Sequence, residues 1–269
     1  MVEIVAEIGV NHDGSMDKAL QLMEAAQDAG CNTVKYQLFS AERSYAPERC
    51  EEMKRLELSR DNIKELKRAA ELMKIGFLCT PDDLDDARFL RDIGVERIKI
   101  GSSNVTNLPL LRAVAAFDVD VILSTGACSQ FEVAKAVQQF GRINCGELIL
   151  LHCVSAYPAP LSQMNMRAIN MLAAYGYPVG LSDHTLGTDA AVMALAMGAC
   201  IIEKHLTLDR NADGPDHWAS IEPDEMKRFV ETLRHCEIAL GDGPKRVMPC
   251  EEENRKAYEA FVARQMECA

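Results

Sequence analysis

The sequence predicts a single (β/α)8 TIM barrel, an α/β fold, on three observations. Eight short strand-like runs alternate with eight amphipathic helical stretches. The pairs run from Glu3 to Leu240, whereas a doubly wound open sheet has fewer strands. Most of the strand-like runs are continuously apolar, as in parallel strands covered on both faces.

The first strand is read at Glu3–Ile8. A helix over Asp17–Ala29 follows, with Ala19, Leu22, Met23 and Ala26 on one face. The second strand is Thr33–Gln37. Ser40–Ser59 then reads as a long charged loop, of a kind that often carries function. Arg60–Lys74 returns to helical spacing with Ile63, Leu66, Ala69, Ala70 and Met73. The remaining strands are Phe77–Cys79, Arg97–Ile100, Val119–Leu123, Glu147–His152, Val179–Leu181 and Cys200–Glu203. Their helices are Asp83–Ile93, Leu108–Phe117, Phe131–Phe140, Met166–Tyr175, Thr188–Met197 and Pro223–Leu240. Gly30, Gly76, Gly94, Gly141, Gly176 and Gly198 fall near helix ends, a usual stop. The barrel is assigned to residues 1–243 and a C-terminal tail to 244–269.

Composition narrows the function. A net charge of −12 with scattered basic residues argues against nucleic acid. No apolar stretch approaches the ~20 residues of a membrane span. The start, Met1-Val2-Glu3-Ile4-Val5, lacks the features of a signal peptide. None of the 10 cysteines forms a C-x-x-C pair, so they read as small buried hydrophobes in a reducing cytoplasm and not as a zinc site.

Chemistry in such a barrel sits at the carboxyl ends of the strands. All eight ends here carry polar groups. Lys35, Lys99, Thr80, Ser102, Ser124 and Ser182 offer two ammonium groups and several hydroxyls, a set suited to phosphate and carboxylate. The plainer alternative is that a lysine snorkels or pairs with Glu7 or Glu203. His184 and His205 leave adjacent strands about 4.8 Å apart, close enough to share one divalent ion, with Glu7 and Glu203 as the nearest carboxylates. A lone histidine would more often be a satisfied core residue. His12, His217 and His235 are weaker candidates, and His152 is a candidate donor to a metal ligand. In the loop Asp213–Ser220, Asp216 is suited to polyol hydroxyls and Trp218 to covering the site, against the alternative of an ordinary Asx-rich turn.

Read in order, these strand ends resemble the sialic acid synthase family. The matching segments are Ala6-Glu7-Ile8-Gly9-Val10-Asn11-His12-Asp13-Gly14, Val34-Lys35-Tyr36-Gln37, Lys99-Ile100-Gly101-Ser102, Leu123-Ser124-Thr125-Gly126, Gly180-Leu181-Ser182-Asp183-His184-Thr185, Ile202-Glu203-Lys204-His205 and Gly214-Pro215-Asp216-His217. The resemblance implies a transferase of carbohydrate biosynthesis that joins phosphoenolpyruvate to an open-chain N-acylated hexose such as N-acetylmannosamine and releases phosphate. It implies that Lys35, Thr80, Lys99, Ser102, Ser124, Ser155 and Ser182 hold phosphoenolpyruvate, and that Gln37, Tyr157 and Asp216 hold the sugar. It implies a divalent metal on His184 and His205, Mn2+ first with Mg2+ or Co2+ as alternatives, with Glu7 and Glu203 on its waters and either as general base. It further implies a homodimer or higher homo-oligomer.

One departure is visible. Family members usually continue into a small antifreeze-like domain, and the segment Pro249–Lys256 stands where that linker would begin. The sugar end of the site would then be open, completed in trans, or suited to another aldehyde. Two other readings stay open. An octulosonate-phosphate type synthase would need an additional basic phosphate pocket, and no arginine-rich cluster provides one. A catalytically inactive barrel subunit has no use for the metal and anion residues.

Overall fold

The computed structural model describes residues 1–141 and 146–267, so Cys145 and Cys268 lie outside the described residues. The chain divides into two units, Met1–Glu237 and Ile238–Ala269. The first is the (β/α)8 barrel.

Its strands and helices run β1 (Glu3–Gly9), α1 (Met16–Asp28), β2 (Thr33–Leu38), α2 (Ala41–Ser44), α3 (Pro47–Lys54), α4 (Arg60–Met73), β3 (Gly76–Pro81), α5 (Leu84–Asp92), β4 (Arg97–Ile100), α6 (Leu108–Val114), β5 (Asp120–Ser124), α7 (Gln130–Phe140), β6 (Leu148–Cys153), α8 (Ala168–Ala173), β7 (Val179–Asp183), α9 (Asp189–Ala196), β8 (Ile201–His205) and α10 (Pro223–Leu240). All eight strands are parallel in the order β3-β2-β1-β8-β7-β6-β5-β4. β3 and β4 lie side by side at the seam, and no ladder joins them among the described residues.

Two expectations change. The segment 40–59 is largely helical: α2 and α3 fill it, and Ala41, Met53 and Leu56 pack with Val10 and Phe39 in a small core of their own. Pro47 stands at the first turn of α3, where its missing N–H costs nothing. The alternation of charge with few apolar residues hides that core from periodicity. Strands β7 and β8 also run two residues further than expected, taking in Ser182-Asp183 and Lys204-His205.

Packing follows the periodicity elsewhere. Ala19, Leu22, Met23 and Ala26 of α1 are buried, as are Ile63, Leu66 and Ala70 of α4. Ser15 caps α1, and Ser59 with Asn62 forms a capping box on α4. The core lies between helices and strands, while Val5, Leu78, Ile122, Ile149, Leu151 and Ile201 form a second cluster of their own. The second unit contains one long helix, α11 (Glu252–Glu267), on which Tyr258, Phe261, Val262 and Met266 are exposed.

Candidate active site

Side chains alternate along a strand, so residues two apart face the same way. That rule brings Lys35 and Gln37 of β2, Ser182 and His184 around the end of β7, and Glu203 and His205 of β8 to one mouth. They line a cavity of about 340 Å³ at the carboxyl end of the barrel, large enough for small substrates. Glu7, Thr80, Lys99, Ser102, Ser124, Ser155 and Tyr157 line it too. Asp216 does not; its Oδ2 lies 3.8 Å from His205 Nδ1.

Glu203 is the hub. Its Oε2 lies 2.8 Å from Lys35 Nζ and 2.7 Å from Lys99 Nζ, and its Oε1 accepts from Ser182 Oγ at 2.8 Å. Both expectations for the lysines therefore hold together: they converge on the cavity, and they pair with Glu203. Lys35 also lies 3.3 Å from Glu7. A lysine ammonium has three donors, so each retains some for an incoming anion.

The electrostatics separate the two carboxylates. Burial would raise Glu203, but Lys35 and Lys99 beside it hold its carboxyl well below the usual range. Burial pushes Glu7 up to about 7, and Lys35 only partly offsets that. Burial also brings Lys99 down to about 8, against the pull of Glu203. Lys35 is raised despite its burial, because Glu203 and Glu7 both favour its charge. One carboxylate is thus spent on neutralising lysines, and the other is poised to exchange a proton near neutral pH.

Several buried atoms facing this region have no hydrogen-bond partner: Glu7 Oε2, Thr80 Oγ1, Ser124 Oγ and His205 Nδ1. Unmade polar bonds are costly in a core and reasonable in a site that takes a polar ligand. Gly126 makes room at the end of β5. A Cβ there would meet Ser155 Oγ at 2.2 Å and Cys153 Sγ at 2.9 Å. Its N–H donates to Ser102 Oγ at 2.9 Å, which fixes that hydroxyl.

The imidazoles of His184 and His205 are 5.4 Å apart, centre to centre. Tyr157 stacks on His184 at 4.2 Å and meets His205 edge-on at 5.7 Å. His184 Nδ1 donates to the Val154 carbonyl at 2.9 Å, leaving the Nε2 lone pair for another partner. Burial holds His205 well below the ordinary histidine range, so it is a neutral ligand. His205, with an orphaned Nδ1, and His184, with its Nε2 lone pair turned from the Val154 bond, fit a divalent cation by geometry, and the burial of His205 keeps that ring unprotonated. Among the described residues no group of three His, Cys, Asp or Glu side chains is arranged to hold a metal, so the remaining ligands would have to be water or substrate.

Other candidates lie elsewhere. His152 Nε2 donates to the Met164 carbonyl at 2.6 Å and does not reach His184. Trp218 is half exposed, donates to the Pro215 carbonyl at 3.1 Å and does not line the cavity. His235 is exposed on α10. His12 is buried, its Nδ1 accepting from the Gly14 N–H at 3.0 Å. His217 bridges Asp13 at 2.9 Å and Thr207 at 2.7 Å, which ties the loop bearing Asp216 to the β1–α1 turn.

Cys153, Ser44, Tyr45, Asp82, Gly101 and Ser103 also line the cavity and were not singled out from the sequence. Only Asp82 had a usable signal, since it lies two residues after Thr80.

The family model for the NeuB family matches residues 22–245. The chain belongs to the NeuB family. It is 40% identical over 264 residues to the N,N'-diacetyllegionaminic acid synthase of Legionella pneumophila, covering 90% of this chain and 74% of that protein. It is 32% identical over 279 residues to human N-acetylneuraminate-9-phosphate synthase, covering 97% of this chain and 77% of that protein. Among solved structures it resembles the N-acetylneuraminic acid (sialic acid) synthetase of Leptospira borgpetersenii in complex with citrate, with 36% identity, a TM-score of 0.91, and coverage of 97% of this chain and 92% of that one. That NeuB-like Leptospira structure shares the fold over nearly its whole length.

Proposed function

We propose that this NeuB-family chain condenses phosphoenolpyruvate with an open-chain N-acylated hexose such as N-acetylmannosamine, giving a nonulosonic acid and inorganic phosphate. The observation that carries the reading is the meeting of two ammonium groups and two imidazoles in one cavity. The names of the legionaminic and neuraminic acid synthases among its relatives support it.

Lys35, Lys99, Thr80, Ser102, Ser124, Ser155 and Ser182 receive the phosphate and carboxylate of phosphoenolpyruvate. The free donors on the lysines and the orphaned hydroxyls of Thr80 and Ser124 suit such an anion. Gln37 and Tyr157 meet the sugar, and Asp216, set back beside His205, joins them by turning into the cavity. His184 and His205 would hold a divalent metal, Mn2+ first with Mg2+ or Co2+ as alternatives, which when bound supplies Lewis-acid polarisation of the aldehyde oxygen.

The chain's own groups account for the rest. C3 of phosphoenolpyruvate forms a bond to the aldehyde carbon as the carbonyl π pair moves to the aldehyde oxygen, which takes up a proton, and C2 becomes electron-poor. Water adds at C2 and gives its proton to a base. Glu7 suits that role better than Glu203, because its carboxyl sits near 7 and its Oε2, though 3.3 Å from Lys35, accepts no hydrogen bond. The bond from C2 to the phosphate oxygen then breaks, leaving a ketone, and Lys35 and Lys99 stabilise the departing phosphate.

Phosphate release with phosphoenolpyruvate, N-acetylmannosamine and Mn2+ tests the reading. Release is expected only when both organic substrates are present. No release with any N-acylated hexose would overturn the reading in favour of a non-catalytic subunit. The same proposal includes a homodimer or higher homo-oligomer and completion of the sugar end by an antifreeze-like domain in trans, checked by light scattering and by adding such a domain. It also includes a cytoplasmic location, supported by the free thiols of all the described cysteines.

A further inference from the structure

Three residues at the cavity mouth have no part in this chemistry: Ser44, Tyr45 and Asp82. The β2–β3 ladder continues past Pro81, with the Asp82 N–H donating to the Leu38 carbonyl at 3.0 Å. Asp82 therefore faces the same way as Thr80, about 7 Å further out. Ser44 and Tyr45 come from the end of α2. Burial raises the Asp82 carboxyl and the neighbouring Ser44 hydroxyl opposes that, while the carboxylates of Asp82 and Asp216 both bear on the Tyr45 hydroxyl.

The lysines of the cavity, Lys35 and Lys99, are confined to its floor, where Glu203 and Glu7 face them, and the mouth carries acidic Asp82. Among the described residues no lysine or arginine lines that mouth. Two of the arginines nearby are paired with carboxylates away from the cavity. Arg43 pairs with Asp83 at 2.7 Å and Asp86 at 3.1 Å, and Arg60 with Asp86 at 2.9 Å. Arg49 lies over the Tyr45 ring at 5.7 Å, its Nε 3.7 Å from Glu52.

We propose that Asp82, supported by Ser44 and Tyr45, reads the far end of the sugar, accepting the hydroxyls of an unphosphorylated chain and rejecting a terminal phosphate. The inference rests on the condensation reading and names its substrate class as a neutral sugar. A hydroxyl donates to a carboxylate, whereas a phosphate dianion presents only acceptors and like charge. Rejection of this kind is a built-in repulsion and not a better fit to the right substrate.

The test compares kcat/KM for N-acetylmannosamine and its 6-phosphate in the wild type and two variants. The wild type should favour the neutral sugar by ~100-fold or more, the size expected of like-charge juxtaposition. Asp82→Asn is isosteric and should narrow the ratio ~10-fold, mainly by lowering the KM for the phosphate, with the KM for phosphoenolpyruvate unchanged. Asp82→Lys should narrow it further, and if that variant fails to fold the asparagine variant decides alone. Equal use of both sugars by the wild type, or full discrimination by Asp82→Asn, overturns this assignment while condensation stands. No turnover of these or of any other N-acylated hexose overturns the condensation reading and this inference with it.

Discussion

At the scale of single residues, two glutamates of one type have opposite characters because of their neighbours. Glu203 accepts from three side chains, and Glu7 has an oxygen that accepts no hydrogen bond and a carboxyl near 7. Removing a cation or a ligand should therefore give distinct defects. His205→Ala is expected to lose metal-dependent turnover while circular dichroism and thermal unfolding stay near wild type. Normal kinetics in that variant would remove His205 from the metal site. Lys99→Ala should raise the KM for phosphoenolpyruvate at least ~10-fold and leave the KM for the sugar nearly unchanged, in line with the loss of a charge-assisted bond. Steady-state kinetics with each substrate varied in turn decides this, and an equal rise for both would count against an anion-binding role.

At the scale of elements, the outward faces of β7 and β8 hold the inward ones in place. Asp183 and Lys204 alternate with the cavity residues, are fully buried and pair at 2.9 Å. Lys204 also donates to the carbonyls of Thr185 and Gly187, and Asp183 accepts from the Thr185 N–H at 2.9 Å. This pins the turn that carries His184. Lys204→Met leaves Asp183 buried without its cation and should cost about 3–5 kcal/mol in urea unfolding. A loss under 1 kcal/mol would mean the turn is held by other contacts.

At the opposite end of the barrel, Arg97 of β4 forms a bidentate pair with Glu3 of β1, with Nη1 2.6 Å from Oε2, and Thr33 of β2 donates to the same carboxylate at 2.6 Å. Burial would raise the Glu3 carboxyl, but the bonds from Arg97 hold it below its ordinary 4.5. The folded state then binds fewer protons than the unfolded state, so this tie stabilises above about pH 4.5 and is lost as pH falls through the folded value. Glu3→Gln should lower stability by about 2 kcal/mol at pH 7, and the gap should shrink toward acid pH. A constant gap from pH 7 to pH 3 would contradict the assignment.

At the scale of the whole molecule, the barrel unit ends at Glu237, and residues 239–267 are exposed. Limited trypsin digestion should cut first after Lys245 or Arg246, in an exposed stretch outside the helices, and leave the barrel intact by mass spectrometry. A first cut inside residues 1–237 would contradict that division.

The sequence by itself determined the eight strand–helix pairs and which residues stand at the strand ends, because apolar periodicity is a local property and a parallel barrel sends every strand end to one mouth. That is why Lys35, Lys99, His184 and His205 were legible as a group. Tertiary structure alone decided that Glu203 takes both lysines while Glu7 keeps a carboxyl near 7, that Ser40–Ser59 folds into α2 and α3, and that Ser44 and Tyr45 reach the cavity. Those outcomes depend on distances and burial between segments far apart in the chain, and no local pattern encodes a neighbour's charge or the water it excludes.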